Sequence, residues 1–111
     1  MTFDEVRRDI LRFRNARDWA QFHNPKDLAI SVSLEAAELL ECFQWSGTDL
    51  ECAERALRME EELADVLIYC IMLADRLGVD PVEAMRHKLE QNARKYPVEK
   101  ARGRSSKYTE L

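Results

Sequence analysis

Apolar residues recur three and four positions apart along most of the chain, which is the spacing of one face of an α-helix. Val6, Ile10 and Phe13 carry the pattern first. Thr2-Phe3-Asp4-Glu5 precedes them as a capping box, in which the threonine and the glutamate each satisfy an orphaned backbone N–H. This first helix is expected to fade near Phe22, before His23-Asn24-Pro25. Asn24 can cap a second helix, with Pro25 at its first position, where a missing N–H costs little. That helix carries Leu28, Val32, Leu39 and Phe43 and should stop around Trp45-Ser46-Gly47. Thr48-Asp49-Leu50-Glu51 reads as a second capping box, opening the longest helix, which ends at Gly78. Asp80-Pro81-Val82-Glu83 starts a fourth, which must end before Pro97.

Four helices with short connections predict an all-α, four-helix bundle-like protomer over residues 1–97, followed by a polar, basic tail over 98–111. From Leu63 to Leu73 the third helix is apolar nearly all round, which implies burial on every side. Four short helices offer too few neighbours for that, so the core is expected to be completed by homo-oligomerisation. The alternative is a monomer whose loops cover the segment.

Composition narrows the field without changing it. The 111 residues are 46% hydrophobic and 34% charged, with only 3 Gly and 3 Pro, a balance that disfavours all-β folds and long loops. Net charge is −4, unevenly spread. Residues 86–107 hold eight Lys/Arg against Glu90 and Glu99, a segment of +6 beside a remainder of −10. An acidic body with a basic segment suits a polyanion bound through a cation. It disfavours duplex nucleic acid, whose binding relies on neutralising many phosphates. Cys42, Cys52 and Cys70 are odd in number and lack metal-type spacing, which suggests reduced thiols in a cytoplasmic protein. Cys70, inside an apolar run, is most simply a small core residue. The opening MTFDEVRRD does not read as a secretory signal, and the apolar run from Leu63 to Ala74 is too short to span a membrane.

The candidate chemistry lies in carboxylates. Glu35 and Glu38 are three apart on the second helix, Glu62 and Asp65 three apart on the third, and both pairs border apolar residues. Each pair projects from one helical face, and antiparallel packing would let the two converge. Most such pairs are simply solvated, and Glu41, Glu60 and Glu61 read as surface charges, although one of them could bind a second ion or activate water. Converged, however, two like charges about 4 Å apart repel by roughly 4 kcal/mol at an effective dielectric of about 20. A domain whose whole stability is on the order of 5–15 kcal/mol tolerates that best with a divalent cation bound. Oxygen-only ligands favour Mg²⁺, or Mn²⁺ in its place, over Zn²⁺. A di-iron bundle is excluded, because neither His23 nor His87 sits three residues after a Glu.

Lys88, Asn92 and Lys95 form a polar stripe on the fourth helix, followed by Tyr96, and offer donors to phosphate oxygens. A solvated basic face would look the same. Tyr69 shares a face with Glu62 and Asp65 and is either a phosphate donor or a core aromatic. Trp19, Trp45 and His23 flank helix ends, where each could stack on a nucleobase or simply pack.

Taken in order, Glu-x-x-Glu, Glu-x-x-Asp and Lys-x-x-x-Asn-x-x-Lys resemble the all-α nucleoside triphosphate pyrophosphohydrolases of the MazG-like superfamily. RDWAQFHNP (17–25), FQW (43–45), EELADVLIY (61–69) and KYP with ARGRSSKYTEL (95–97, 101–111) are most similar to its dCTP pyrophosphatase branch. The resemblance implies Mg²⁺-dependent hydrolysis of a nucleoside triphosphate between the α and β phosphates, giving a monophosphate and pyrophosphate. It implies that Glu35, Glu38, Glu62 and Asp65 hold the metal. Lys88, Asn92, Lys95 and Tyr69 would bind the phosphates, with Tyr96 beside them, while His23 and Trp45 would contact the base. It also implies a homodimer or homotetramer. The rival readings are a helical module that binds a nucleotide or protein without catalysis, and a DNA-binding regulator, which the acidic body opposes.

Overall fold

A computed structural model describes residues 1–111, all of them helix, turn or irregular chain with no strand. By internal contacts it divides into two compact units, Met1–Gly78 and Val79–Leu111. The first holds α1 (Phe3–Ala16), α2 (Pro25–Glu41) and α3 (Ala56–Leu77). The second holds α4 (Pro81–Lys95) and the short α5 (Val98–Ala101). None of these helices is long and apolar enough to cross a membrane.

The caps at three helix starts are the ones the sequence predicts. Thr2 Oγ1 accepts from Glu5 N at 3.2 Å while Glu5 Oε2 accepts from Thr2 N at 3.0 Å. Asn24 Oδ1 accepts from Asp27 N at 2.9 Å, with Pro25 at the first helical position. Asp80 Oδ1 accepts from Val82 N at 2.9 Å and opens α4. Gly78 ends α3 in the left-handed conformation, φ 67°, where a side chain would be strained.

Three expectations need correcting. The first helix ends at Ala16 rather than fading near Phe22, because Asp18 turns left-handed at φ 53°, and Trp19–Phe22 forms a separate 3₁₀ turn. Thr48-Asp49-Leu50-Glu51 does not open a helix. Asp49 Oδ1 instead accepts from Glu51 N and Cys52 N, at 3.3 and 3.1 Å, closing a local turn. A 3₁₀ turn, Ala53–Arg55, then leads into α3 at Ala56. Cys70 is exposed, not a core residue, since it lies on the side of α3 away from Met72 and Ile68; the buried cysteines are Cys42 and Cys52. All three thiols are free.

Within the first unit, α2 and α3 run antiparallel. Arg58 meets Glu41 at one end (3.4 Å), and Arg76 Nε donates to the His23 carbonyl at the other (2.7 Å). Between them Leu28 from α2 and Met72 from α3 pack with Ile10 of α1, and Ile68 and Tyr69 close over the cluster. Leu28 is only 1% exposed and anchors α2. Burying a leucine side chain is worth about 1.5–3 kcal/mol. An ion pair fixes α1 to α3: Arg14 Nη1 donates to Asp75 Oδ2 at 2.7 Å, with Arg14 buried. Arg14 Nε donates to Asn15 Oδ1 at 3.0 Å, so the guanidinium is well satisfied for its depth. At the far end, Arg55 Nη1 donates to the Cys42 carbonyl at 2.7 Å and ties the start of α3 to the end of α2.

Candidate active site

The antiparallel register of α2 and α3 decides where the four acids go. Glu35 and Glu38 stand one turn apart on α2, and Glu62 and Asp65 one turn apart on α3, at the same level of the pair. One carboxylate oxygen from each of Glu35, Glu62 and Asp65 lies within 4.8 Å of the others. Glu38 stands outside that group of three but near enough to act on the titration of both Glu35 and Glu62.

The electrostatics of this cluster are unfavourable as it stands. Burial raises the carboxyl pKa of Glu35 above the ordinary value, and the hydrogen bond to Glu38 and the charges of Glu38, Asp65 and Glu62 raise it further. Glu62 is raised in the same way, by burial first and then by Glu38, with Arg58 opposing the shift. That arginine is a poor counter-ion, its Nε 3.9 Å from Glu62 Oε1 and its Nη2 turned to Glu41. Most telling, Oε2 of both Glu35 and Glu62 is buried without a hydrogen-bond partner. An unsatisfied buried oxygen is costly, and two of them on clustered carboxylates call for a cation. The donor set is all oxygen, which suits a hard divalent ion.

Beside the carboxylates lies a cavity of about 440 Å³. Glu35 and Asp65 sit on its wall, so it opens onto the acidic cluster. Ile68, Tyr69 and Met72 of α3 form one side, and Val6, Asp9, Ile10 and Phe13 of α1 form another. Trp19 completes it, its ring edge-on to Phe13 with centroids 5.6 Å apart. Arg17 lies over the Phe13 ring at 3.7 Å and stiffens this corner. An apolar, ligand-sized hollow with a few charged groups at one end is the usual form of a small-molecule site.

The other sequence candidates fall into two groups. Tyr69 lines the cavity as the shared face with Glu62 and Asp65 predicts. His23 and Trp45 are not in its wall. His23 is half-buried with Nδ1 unpartnered, and burial, aided by the charge of Arg14, lowers its pKa. Trp45 stands 91% exposed in a left-handed backbone conformation, φ 67°. Lys88, Asn92, Lys95 and Tyr96 all belong to the second unit. There the Lys95 ammonium lies 4.9 Å from the Tyr108 ring, and Tyr96 packs edge-on to Tyr108 at 6.0 Å. The contact folds the C-terminal residues back onto the end of α4. The sequence marks Phe13 only as part of the apolar face with Val6 and Ile10, and no local signal marks Asp9.

The chain is similar to known proteins along nearly its whole length. The family model described as the MazG-like family matches residues 30–111. Human dCTP pyrophosphatase 1 is 44% identical over 117 residues, covering 99% of this chain and 68% of the human protein. The mouse protein of the same name is 40% identical with the same coverage. A crystal structure of a pyrophosphatase from Archaeoglobus fulgidus superposes with a TM-score of 0.77 at 47% identity, covering 85% of this chain and 91% of that one.

Proposed function

The chain belongs to the MazG-like family and is a hydrolase of the pyrophosphatase class, and we propose that it cleaves a (deoxy)nucleoside triphosphate to the monophosphate and pyrophosphate. dCTP or a modified dCTP is the proposed substrate, since the curated relatives at about 40% identity carry the name dCTP pyrophosphatase. Removal of such a nucleotide from the pool available for DNA synthesis would be its purpose.

One observation carries the mechanism: carboxylate oxygens of Glu35, Glu62 and Asp65 within 4.8 Å, two of the residues bearing buried, unpartnered oxygens. In this reading Glu35, Glu38, Glu62 and Asp65 hold Mg²⁺, with Mn²⁺ able to replace it. The ion supplies positive charge to the phosphate oxygens and acidity to nearby water. The protein's own share begins with those carboxylates, one of which takes the proton of the attacking water. Glu41, in an exposed ion pair with Arg58 at 3.4 Å, is a further candidate for that task. Tyr69 offers a hydroxyl donor from the cavity wall. Lys88, Asn92 and Lys95, followed by Tyr96, are the chain's proposed phosphate donors; His23 and Trp45 stay as proposed base contacts only where the base extends beyond the cavity wall, which neither of them joins.

The test is a pyrophosphate-release screen over common and methylated nucleoside triphosphates, with Mg²⁺ and with chelator. Pyrophosphate should appear with at least one deoxynucleotide and vanish with chelator. Stabilisation by a nucleotide without pyrophosphate release would leave a binding module instead.

We also propose that the working form is a homodimer or homotetramer. In the single chain, Leu57, Leu63 and Leu67 of α3 are 69%, 48% and 54% exposed, and Leu34 and Leu40 of α2 are exposed beside them. Monomers rarely display so many large aliphatic side chains on one helix pair.

A further inference from the structure

The hollow beside the acids has a charged wall residue that the cation cluster does not use. Of its carboxylates, Glu35 and Asp65 face the acidic cluster and the third is Asp9, on α1, while Tyr69 and Trp19 each bear one donor group. Asp9 has one ion-pair partner, Arg12, at 3.5 Å, and both side chains are more than half exposed, so the contact holds it loosely. Around it the wall is apolar, from Val6, Ile10 and Phe13. An anionic triphosphate belongs at the cation, which leaves the apolar hollow to the flat, uncharged base. A base seated there meets one charged side chain on the α1 side, and that side chain can only accept hydrogen bonds.

We propose that Asp9 reads the base, selecting rings that carry an exocyclic amino group over keto pyrimidines. This rests on the pyrophosphohydrolase reading above. Cytosine presents an N4 amino donor where uracil presents the O4 acceptor. Against the Asp9 carboxylate the amino group gains a charge-assisted hydrogen bond, whereas the carbonyl sets lone pair against lone pair. A wall of Val6, Ile10 and Phe13 cannot by shape alone separate two rings of nearly equal size, so the polar contact carries the choice. Asp9 is thus a specificity residue on an element that contributes nothing to the cation cluster.

The experiment compares kcat/KM for pyrophosphate release from dCTP and dUTP, which differ in the C4 substituent and in the hydrogen carried by uracil N3, for wild type, Asp9→Ala and Asp9→Asn. Wild type should favour dCTP by about tenfold or more, the effect of a hydrogen bond to a charged group at a partly exposed site. Asp9→Ala should erase most of that ratio, and Asp9→Asn should lower or invert it, because an amide can also donate to O4. Asp9 is half exposed, so both variants should keep the helical circular dichroism of wild type. An active wild type that does not favour dCTP, or a ratio unmoved in both variants, overturns the assignment while leaving the enzyme reading intact. Absence of pyrophosphate from every triphosphate would instead sink the enzyme reading itself, and this assignment with it.

Discussion

Replacing Glu35 by Gln should make the metal-free protein more stable and the enzyme inactive. Glu35, Glu62 and Asp65 oxygens lie within 4.8 Å, a separation at which two unit charges repel by roughly 0.9 kcal/mol at the dielectric of water and roughly 3.5 kcal/mol at about 20. Glu35 keeps part of its surface in solvent, so the lower figure applies to its pair with Asp65, about 1 kcal/mol after screening. For a domain of this size that is a rise of about 4 °C in Tm. Glutamine retains the shape and can donate to a neighbouring carboxylate, where the glutamate leaves Oε2 buried without a partner. With Mg²⁺ the order should reverse. Wild type gains stability by mass action from the bound ion, and the variant, short of one ligand, gains little. Pyrophosphate release should fall by about 100-fold or more, at or beyond the loss seen when an outer-shell metal partner is removed. The assay is calorimetry in mildly alkaline buffer with chelator and with millimolar Mg²⁺, alongside turnover, with Glu61→Gln at an exposed neighbouring position as control. A Glu35→Gln protein with lower metal-free Tm and undiminished Mg²⁺ stabilisation would refute the crowding argument.

Three more outcomes follow from the same geometry. Glu35 and Glu62 have raised pKa values in the metal-free fold, so the folded protein holds protons that the unfolded chain has released. Their contribution to stability is therefore present below the ordinary carboxylate pKa and lost as pH rises through the raised values; the metal-free Tm should fall across that window and Mg²⁺ should flatten the fall, as a pH series by calorimetry would record. Asp75→Asn leaves the buried Arg14 without its anion and should cost about 2 kcal/mol, less than a fully buried pair because Asp75 is one-third exposed, measured by urea denaturation. Leu63→Glu with Leu67→Glu should dissociate the proposed oligomer in analytical ultracentrifugation, while an unchanged sedimentation coefficient would place the interface elsewhere.

Much of the fold was legible because its signals are local. Thr2 with Glu5, Asn24 with Pro25, Asp80 with Pro81, and Gly78 each act within one helical turn, and each sits where its chemistry says. The acidic site was legible for a related reason: spacing fixes each pair on one face, and only an antiparallel neighbour is needed to bring them together. What failed was competition among local options. Thr48 and Glu51 fit a capping box, yet Asp49 between them takes the Glu51 N–H, with that of Cys52, into a tighter turn. Asp18 has no sequence mark that announces a left-handed break after α1. The uniform apolarity around Cys70 suggested depth, but depth needs neighbours, and the single chain covers only the Met72 side of α3. Asp9 was beyond reach because only the meeting of α1 with α3 gives its position a meaning.

The question of why two carboxylate pairs border apolar stretches has a mechanical answer. Four acids do not gather by their own interactions; each like-charged neighbour pushes the cluster apart. The force that gathers them comes from residues two and three turns further along α2 and α3, and from α1 packed against them. Leu28, Ile10 and Met72 bury together, Arg14 and Asp75 lock α1 to α3, and Arg76 holds the His23 carbonyl at the far end. These contacts determine the separation of α2 and α3, and the carboxylates inherit it. Crowding is then a stored quantity that a divalent ion relieves, so affinity for the ion should depend on how firmly the helix pair is clamped. A change that loosens the clamp without touching an acid, such as Leu28→Ala, should therefore weaken Mg²⁺ stabilisation as well as the fold, whereas a site built from loosely held surface acids would lose only the fold.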